Sequence, residues 1–185
     1  HFDFGVGGKI GCGKSTLMTL LGRLYNVDRN SIFVDDVDIM DSDITSLRKS
    51  IAFVLQDNFL FSDTIRNNVA LADENAQMCK IVEATDFASV SGDIALFPEG
   101  YETETGERGV TLSGGQKQRI SIARAYLKDA PIMILDDSVS AVDVKTEGEI
   151  LEGIKAKRKG KTTILIASRV STVSGLDRII VFNEG

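Results

Sequence analysis

The segment Gly8-Lys9-Ile10-Gly11-Cys12-Gly13-Lys14-Ser15 restricts this chain more than any other. A glycine, four variable residues and Gly-Lys-Ser stand between a strand-like run, Phe2-Asp3-Phe4-Gly5-Val6, and a leucine-striped helix beginning near Lys14. Glycines at this spacing permit positive φ and close backbone approach, so that successive N–H groups and a helix N-terminus can surround polyphosphate oxygens. Lys14 would neutralise terminal phosphates, Ser15 would offer its hydroxyl to Mg²⁺, and Thr16 carries the nucleotide-binding set into the helix. A glycine-rich turn without a ligand is the alternative; Cys12, inside the loop, reads as a small residue at a variable position.

The rest of the pattern suits such a loop. Ile51-Ala52-Phe53-Val54-Leu55, Ile132-Met133-Ile134-Leu135, Ile164-Leu165-Ile166-Ala167 and Ile179-Ile180-Val181-Phe182 are apolar without alternation, as in strands covered on both faces of a parallel sheet. Between them, Leu17, Leu20, Leu21 and Leu24 form one helical stripe, and Ile120, Ala123 and Leu127 form another on a helix from about Ser113 to Lys128. Strands alternating with helices predict an α/β fold, a mostly parallel sheet flanked by helices, with ligands beyond the strand C-termini. The stretch from Asp63 to Leu96 lacks strand patterns, and a helical subdomain is expected over about 63–112.

A chain of 185 residues, 43% of them hydrophobic, can bury the core of one domain. Its net charge of −6 argues against a general affinity for nucleic acid, so any phosphate site must be local. Cys12 and Cys79 are too few for a disulfide scaffold and are expected as free thiols in a reducing compartment. No apolar stretch reaches the ~18 residues that span a bilayer. The chain opens inside a strand-like run and stops at a turn-like Asn183-Glu184-Gly185, which reads as a fragment of something longer.

Two further elements bear on chemistry. Ile132 to Leu135 end in Asp136-Asp137, an arrangement that places one carboxylate near Mg²⁺ and the next near an attacking water, although acids also follow strands as helix caps. Leu112-Ser113-Gly114-Gly115-Gln116, followed by Lys117-Gln118-Arg119, puts a hydroxyl and unpaired N–H groups at a helix start, an anion site or an ordinary serine cap. Together with the phosphate loop this pentapeptide resembles the signature of ATP-binding-cassette (ABC) ATPases. The resemblance implies that the signature grips the γ-phosphate bound to a second ABC nucleotide-binding domain, so that two copies enclose two ATP molecules.

The resemblance extends along the chain. Gln56, before Asp57-Asn58-Phe59-Leu60-Phe61, is similar to the family's glutamine loop, which implies a Mg²⁺ and catalytic contact and a neighbouring surface for transmembrane domains. Ser140-Ala141-Val142-Asp143 resembles the interface D-loop, and Thr105-Gly106-Glu107-Arg108-Gly109 resembles the X-loop of exporters, which makes Asp143 and Glu107 expected interface residues. The short interval between Lys14 and Asp136 carries no heptad pattern, unlike the DNA-repair branch. An exporter of this kind would lie at the cytoplasmic face of the cell membrane, attached through segments outside this chain. The family's adenine-stacking aromatic residue would precede His1.

Three positions depart from the family. Asp137 stands where a glutamate general base is usual and is one methylene shorter, a loss of roughly 1.5 Å of reach that should slow hydrolysis more than binding. Ser168 stands where a histidine usually contacts the γ-phosphate; it can donate one hydrogen bond but carries no charge, and the chain's only histidine is His1. These two catalytic candidates, with an intact signature, predict one slow half-site in a heterodimer, a homodimer with low activity being the alternative. A non-hydrolysing clamp and a soluble ABC ATPase are the rival functions. Gly7 replaces an expected β-branched residue and should weaken the first strand.

Overall fold

The computed structural model describes residues 2–9, 11–106, 111–139 and 142–183. Its elements are, in chain order, β1 (Asp3–Gly8), α1 (Lys14–Leu21), β2 (Phe33–Val34), β3 (Val37–Asp38), α2 (Ile44–Ser50), β4 (Ile51–Val54), α3 (Ile65–Ala70), α4 (Met78–Phe87) and α5 (Ser91–Ala95). A single 3₁₀ turn (Gly100–Glu102) precedes α6 (Gly114–Leu127), β5 (Ile132–Asp136), α7 (Val144–Lys157), β6 (Thr162–Ile166), α8 (Val170–Val173) and β7 (Arg178–Phe182).

Five strands form one parallel sheet in the order β4-β5-β6-β1-β7, and β2 and β3 pair as a separate antiparallel hairpin. Three of the four apolar runs, those of β4, β5 and β6, are strands covered on both faces of the sheet, whereas the fourth, β7, is an edge strand whose Ile179, Ile180 and Val181 stay exposed. Ile134, Ile166, Ile51 and Val6 pack on one face with Met18 and Leu47 from α1 and α2. Met133, Leu135, Leu165 and Val54 pack on the other with Ile120 and Ile122 of α6, Ile81 of α4 and Ile150 of α7. Neighbours along a strand therefore enter opposite cores, and the buried polar Thr163 of β6 is accommodated by a hydrogen bond from Arg158.

The leucine stripe is shorter than its spacing implies. Helix α1 stops at Gly22, Arg23 follows with φ 47°, and Leu24 lies outside the helix, 57% exposed. The deeply buried residue of α1 is Met18, which the leucine count passes over. Gly7 fits inside β1 opposite Val181, and a side chain there would meet nothing within 4 Å. Gly5, in contrast, is constrained, since a Cβ would lie 2.6 Å from that of Val173 on α8.

Candidate functional site

Because the sheet is parallel, every strand ends on the same edge. The loop after β1, Gln56 beyond β4, Asp136 closing β5 and Ser168 beyond β6 therefore lie along one rim, on four adjacent strands. In the loop, Gly11 (φ 83°) and Gly13 (φ 97°) adopt left-handed conformations, and a Cβ on either would touch no protein atom. Backbone conformation, not packing, requires glycine there, and the concave side stays open. Gly13 is also the N-cap of α1 and offers no side chain to its first-turn N–H groups, which leaves these for a ligand.

Gly8 has a different role. A Cβ would sit 2.6 Å from the Phe182 carbonyl oxygen and 2.7 Å from Cys12 Sγ, so glycine lets the loop seat against β7. Cys12 is a buried free thiol inside the loop and Cys79 an exposed one. The Lys14 ammonium donates to the carbonyls of Gly8 (2.7 Å) and Lys9 (2.8 Å), which holds its charge over the loop. Ser15 and Thr16 are exposed at the helix start. Ile10 lies outside the described residues, as does Glu107.

Asp136 is buried. Burial pushes its carboxyl up from the ordinary value, opposed by a hydrogen bond from Ser15, while the charge of Asp137 adds to the rise and Lys14 counters it. A hydroxyl and a carboxylate thus meet beside an ammonium, the oxygen donors that suit Mg²⁺ when phosphate oxygens complete its shell. Asp137 turns the chain out of the strand with φ 45°; its N–H donates to the Ile166 carbonyl at 3.0 Å. Asp137, Gln56, Asp57, Gly114, Lys117 and Gln118 line a cleft of about 350 Å³, which brings the glutamine loop, the acidic strand end and the signature helix to one place.

At the signature, Leu112 is buried and anchors the turn, whereas Ser113 and Gly114 are exposed. Ser113 caps α6 in a capping box with Gln116, and a Cβ on Gly114 would meet open space. Gly115 follows in the first turn of α6. Asp143 caps α7 by accepting from the N–H groups of Lys145 and Thr146 and from the Thr146 hydroxyl at 2.7 Å.

Three polar residues that sequence reading passes over organise this rim. Gln118 is 2% exposed and donates from Nε2 to the Asp137 carbonyl oxygen at 3.3 Å, joining α6 to the acidic turn. Glu147 of α7 is buried and accepts from Arg169 at 2.7 Å and from the Thr172 hydroxyl, while Arg169 also reaches the Val139 carbonyl. This pins the segment carrying the exposed Ser168 to α7. Asn68, 1% exposed, joins the chain after Gln56 to α6 through Phe61 and Arg124. Burial of a polar residue within a polar stretch leaves no periodic trace; only Gln118, two places after the signature, had a local hint.

The profile of the ABC transporter family matches residues 4–140. Among relatives, the multidrug export ATP-binding/permease protein YgaD of Bacillus subtilis is 48% identical over 178 residues, 96% of this chain and 31% of the relative. An ATP-dependent lipid A-core flippase of Syntrophus aciditrophicus is 46% identical over 178 residues, again 96% of this chain, and 30% of that protein. The chain therefore spans about a third of the length of these relatives. A solved bacterial Atm1-family ABC exporter with ATP bound superposes with a TM-score of 0.94 at 41% identity, over 100% of this chain and 32% of that one.

Proposed function

The chain belongs to the ABC transporter family, and from that premise we propose that it is the ATP-binding and ATP-hydrolysing motor of an exporter. The observation that carries this reading is the single rim on which the glycine loop with Lys14, the Ser15–Asp136 pair, Gln56 and Asp137 converge. Lys14 and the N–H groups of α1 would hold the phosphates, and Ser15, Gln56 and Asp136 would hold Mg²⁺. The bound metal would supply charge neutralisation for phosphoryl transfer to water. Asp137 would orient that water and accept its proton, and Ser168 would contribute one hydrogen bond.

The partners follow from two surfaces. Ser113 and Gly114 stand exposed at a helix N-terminus, and we assign them to the terminal phosphate held by a second ABC domain, with Asp143 at the same interface. An apolar groove of about 440 Å³, lined by Leu24, Phe53, Leu55, Leu71 and Ala72, begins at the residue before Gln56, and we assign it to the transmembrane domains. ATP would close the two domains, and release of phosphate would open them, alternating the access of the membrane path. The helical segment around α3, α4 and α5 would transmit that motion, at the cytoplasmic face of the membrane.

The half-site built on Asp137 and Ser168 would turn over slowly, because the shorter carboxylate lacks reach and the hydroxyl lacks charge. Replacing both in the full-length transporter, Asp137→Glu with Ser168→His, should raise ATP turnover about tenfold or more. Turnover that stays level sinks the slow half-site, and an absence of ATP binding in either form sinks the motor itself.

A further inference from the structure

The capping box at the start of α6 is reciprocal. Ser113 Oγ accepts from the Gln116 N–H at 3.2 Å, and Gln116 Oε1 accepts from the Ser113 N–H at 2.9 Å. A primary amide has one accepting and one donating end, so some neighbour must decide which end faces Ser113. Asp93 on α5 decides it. A carboxylate only accepts; Asp93 Oδ1 receives Gln116 Nε2 at 3.0 Å, which leaves Oε1 for Ser113. Its other oxygen receives an Arg119 guanidinium N–H at 2.8 Å, and Arg119 in turn donates to the carbonyls of Gly115 and Ser89. Burial pushes the Asp93 carboxyl up, but the hydrogen bonds from Gln116 and Arg119 outweigh it and leave the group below its ordinary value, ionised at neutral pH.

We propose that Asp93 is a positioning residue for the Ser113–Gln116 turn: it orients the Gln116 amide, holds Arg119 against the turn, and ties the aim of the signature to α5. The proposal rests on the reading of that turn as the cover over a partner's nucleotide. Asp93 touches no nucleotide in this scheme; it acts through Gln116 and Arg119. Both carboxylate oxygens face donors, so an isosteric amide cannot serve, because its NH₂ would oppose either Gln116 Nε2 or the guanidinium.

The test is Asp93→Asn in the full-length protein. Closure of the two ATP-binding domains, read as the distance between spin labels, should need about tenfold more Mg-ATP, while affinity for Mg-ADP, which lacks the gripped phosphate, stays within about twofold. Adding Gln116→Glu supplies a carboxylate that accepts both from the introduced amide and from the Ser113 N–H, and should bring closure back to within about threefold of the parent. A loss that this second change does not recover overturns the proposal, because it then reports general damage. Normal closure in Asp93→Asn alongside failed closure in Ser113→Glu overturns the role of Asp93 and leaves the covering turn intact. Closure indifferent to both variants overturns the proposal together with the reading beneath it.

Discussion

Replacing Asn68 by alanine tests whether the chain after Gln56 is held to the signature helix by one buried amide. Asn68 Oδ1 accepts from the Phe61 N–H at 2.9 Å and from Arg124 at 3.2 Å; Nδ2 donates to the carbonyls of Phe61 and Thr64 and to the Thr105 hydroxyl. The loss is smaller than that list suggests. After truncation the Phe61 carbonyl keeps the Thr105 hydroxyl, and the Thr64 carbonyl keeps the Asn68 backbone N–H. Two donors lose an acceptor: the Phe61 N–H and one Arg124 N–H, whose other nitrogens still reach the Asn68 and Phe59 carbonyls. One neutral and one charged bond come to about 2–4 kcal/mol. At this size each kcal/mol moves the melting midpoint by roughly 2–4 °C, so a fall of roughly 5–15 °C is expected. Amide exchange at Phe61 should quicken more than exchange in the β5 core. A stability change below about 1 kcal/mol with unaltered exchange at Phe61 would refute the reasoning.

Two further outcomes follow from the phosphate loop. Gly8→Ala should cost more nucleotide affinity than Gly11→Ala, because its Cβ meets the Phe182 carbonyl at 2.6 Å whereas Gly11 pays only for its φ of 83°; equal affinities in equilibrium titrations would contradict this. Ser15→Ala removes a hydrogen bond that lowers the Asp136 carboxyl, whose value burial already raises. A carboxyl raised above its unfolded value is destabilising when ionised, so its cost to folding shrinks as pH falls through the folded value. The variant should move this window, and the carboxyl carbon resonance of Asp136, to higher pH; an unmoved titration would show that the bond does not act.

The α/β class, strands β4, β5 and β6 and the α6 helix were legible in the sequence because burial on both faces leaves continuous apolar runs and helical spacing leaves a stripe; β7 shares the apolar run but lies exposed at the sheet edge, so two-face burial does not account for it. The phosphate loop was legible for another reason: φ values of 83° and 97° at Gly11 and Gly13 select glycine locally, whatever surrounds them. The hairpin of β2 and β3 carried no such mark, being two residues to a strand. The leucine stripe misled at Leu24, since Gly22 and Arg23 end the helix one turn early.

What the sequence determined by itself is therefore the set of groups proposed to meet a phosphate, since local backbone geometry and residue chemistry select them within a few positions. Which polar residues hold those groups in place was decided only by the tertiary structure. Asp93 lies far along the chain from Gln116, Glu147 from Arg169, and Asn68 from Arg124. A buried polar side chain is tolerated only where a partner from elsewhere in the fold satisfies it, and no local pattern encodes a partner that folding alone brings near.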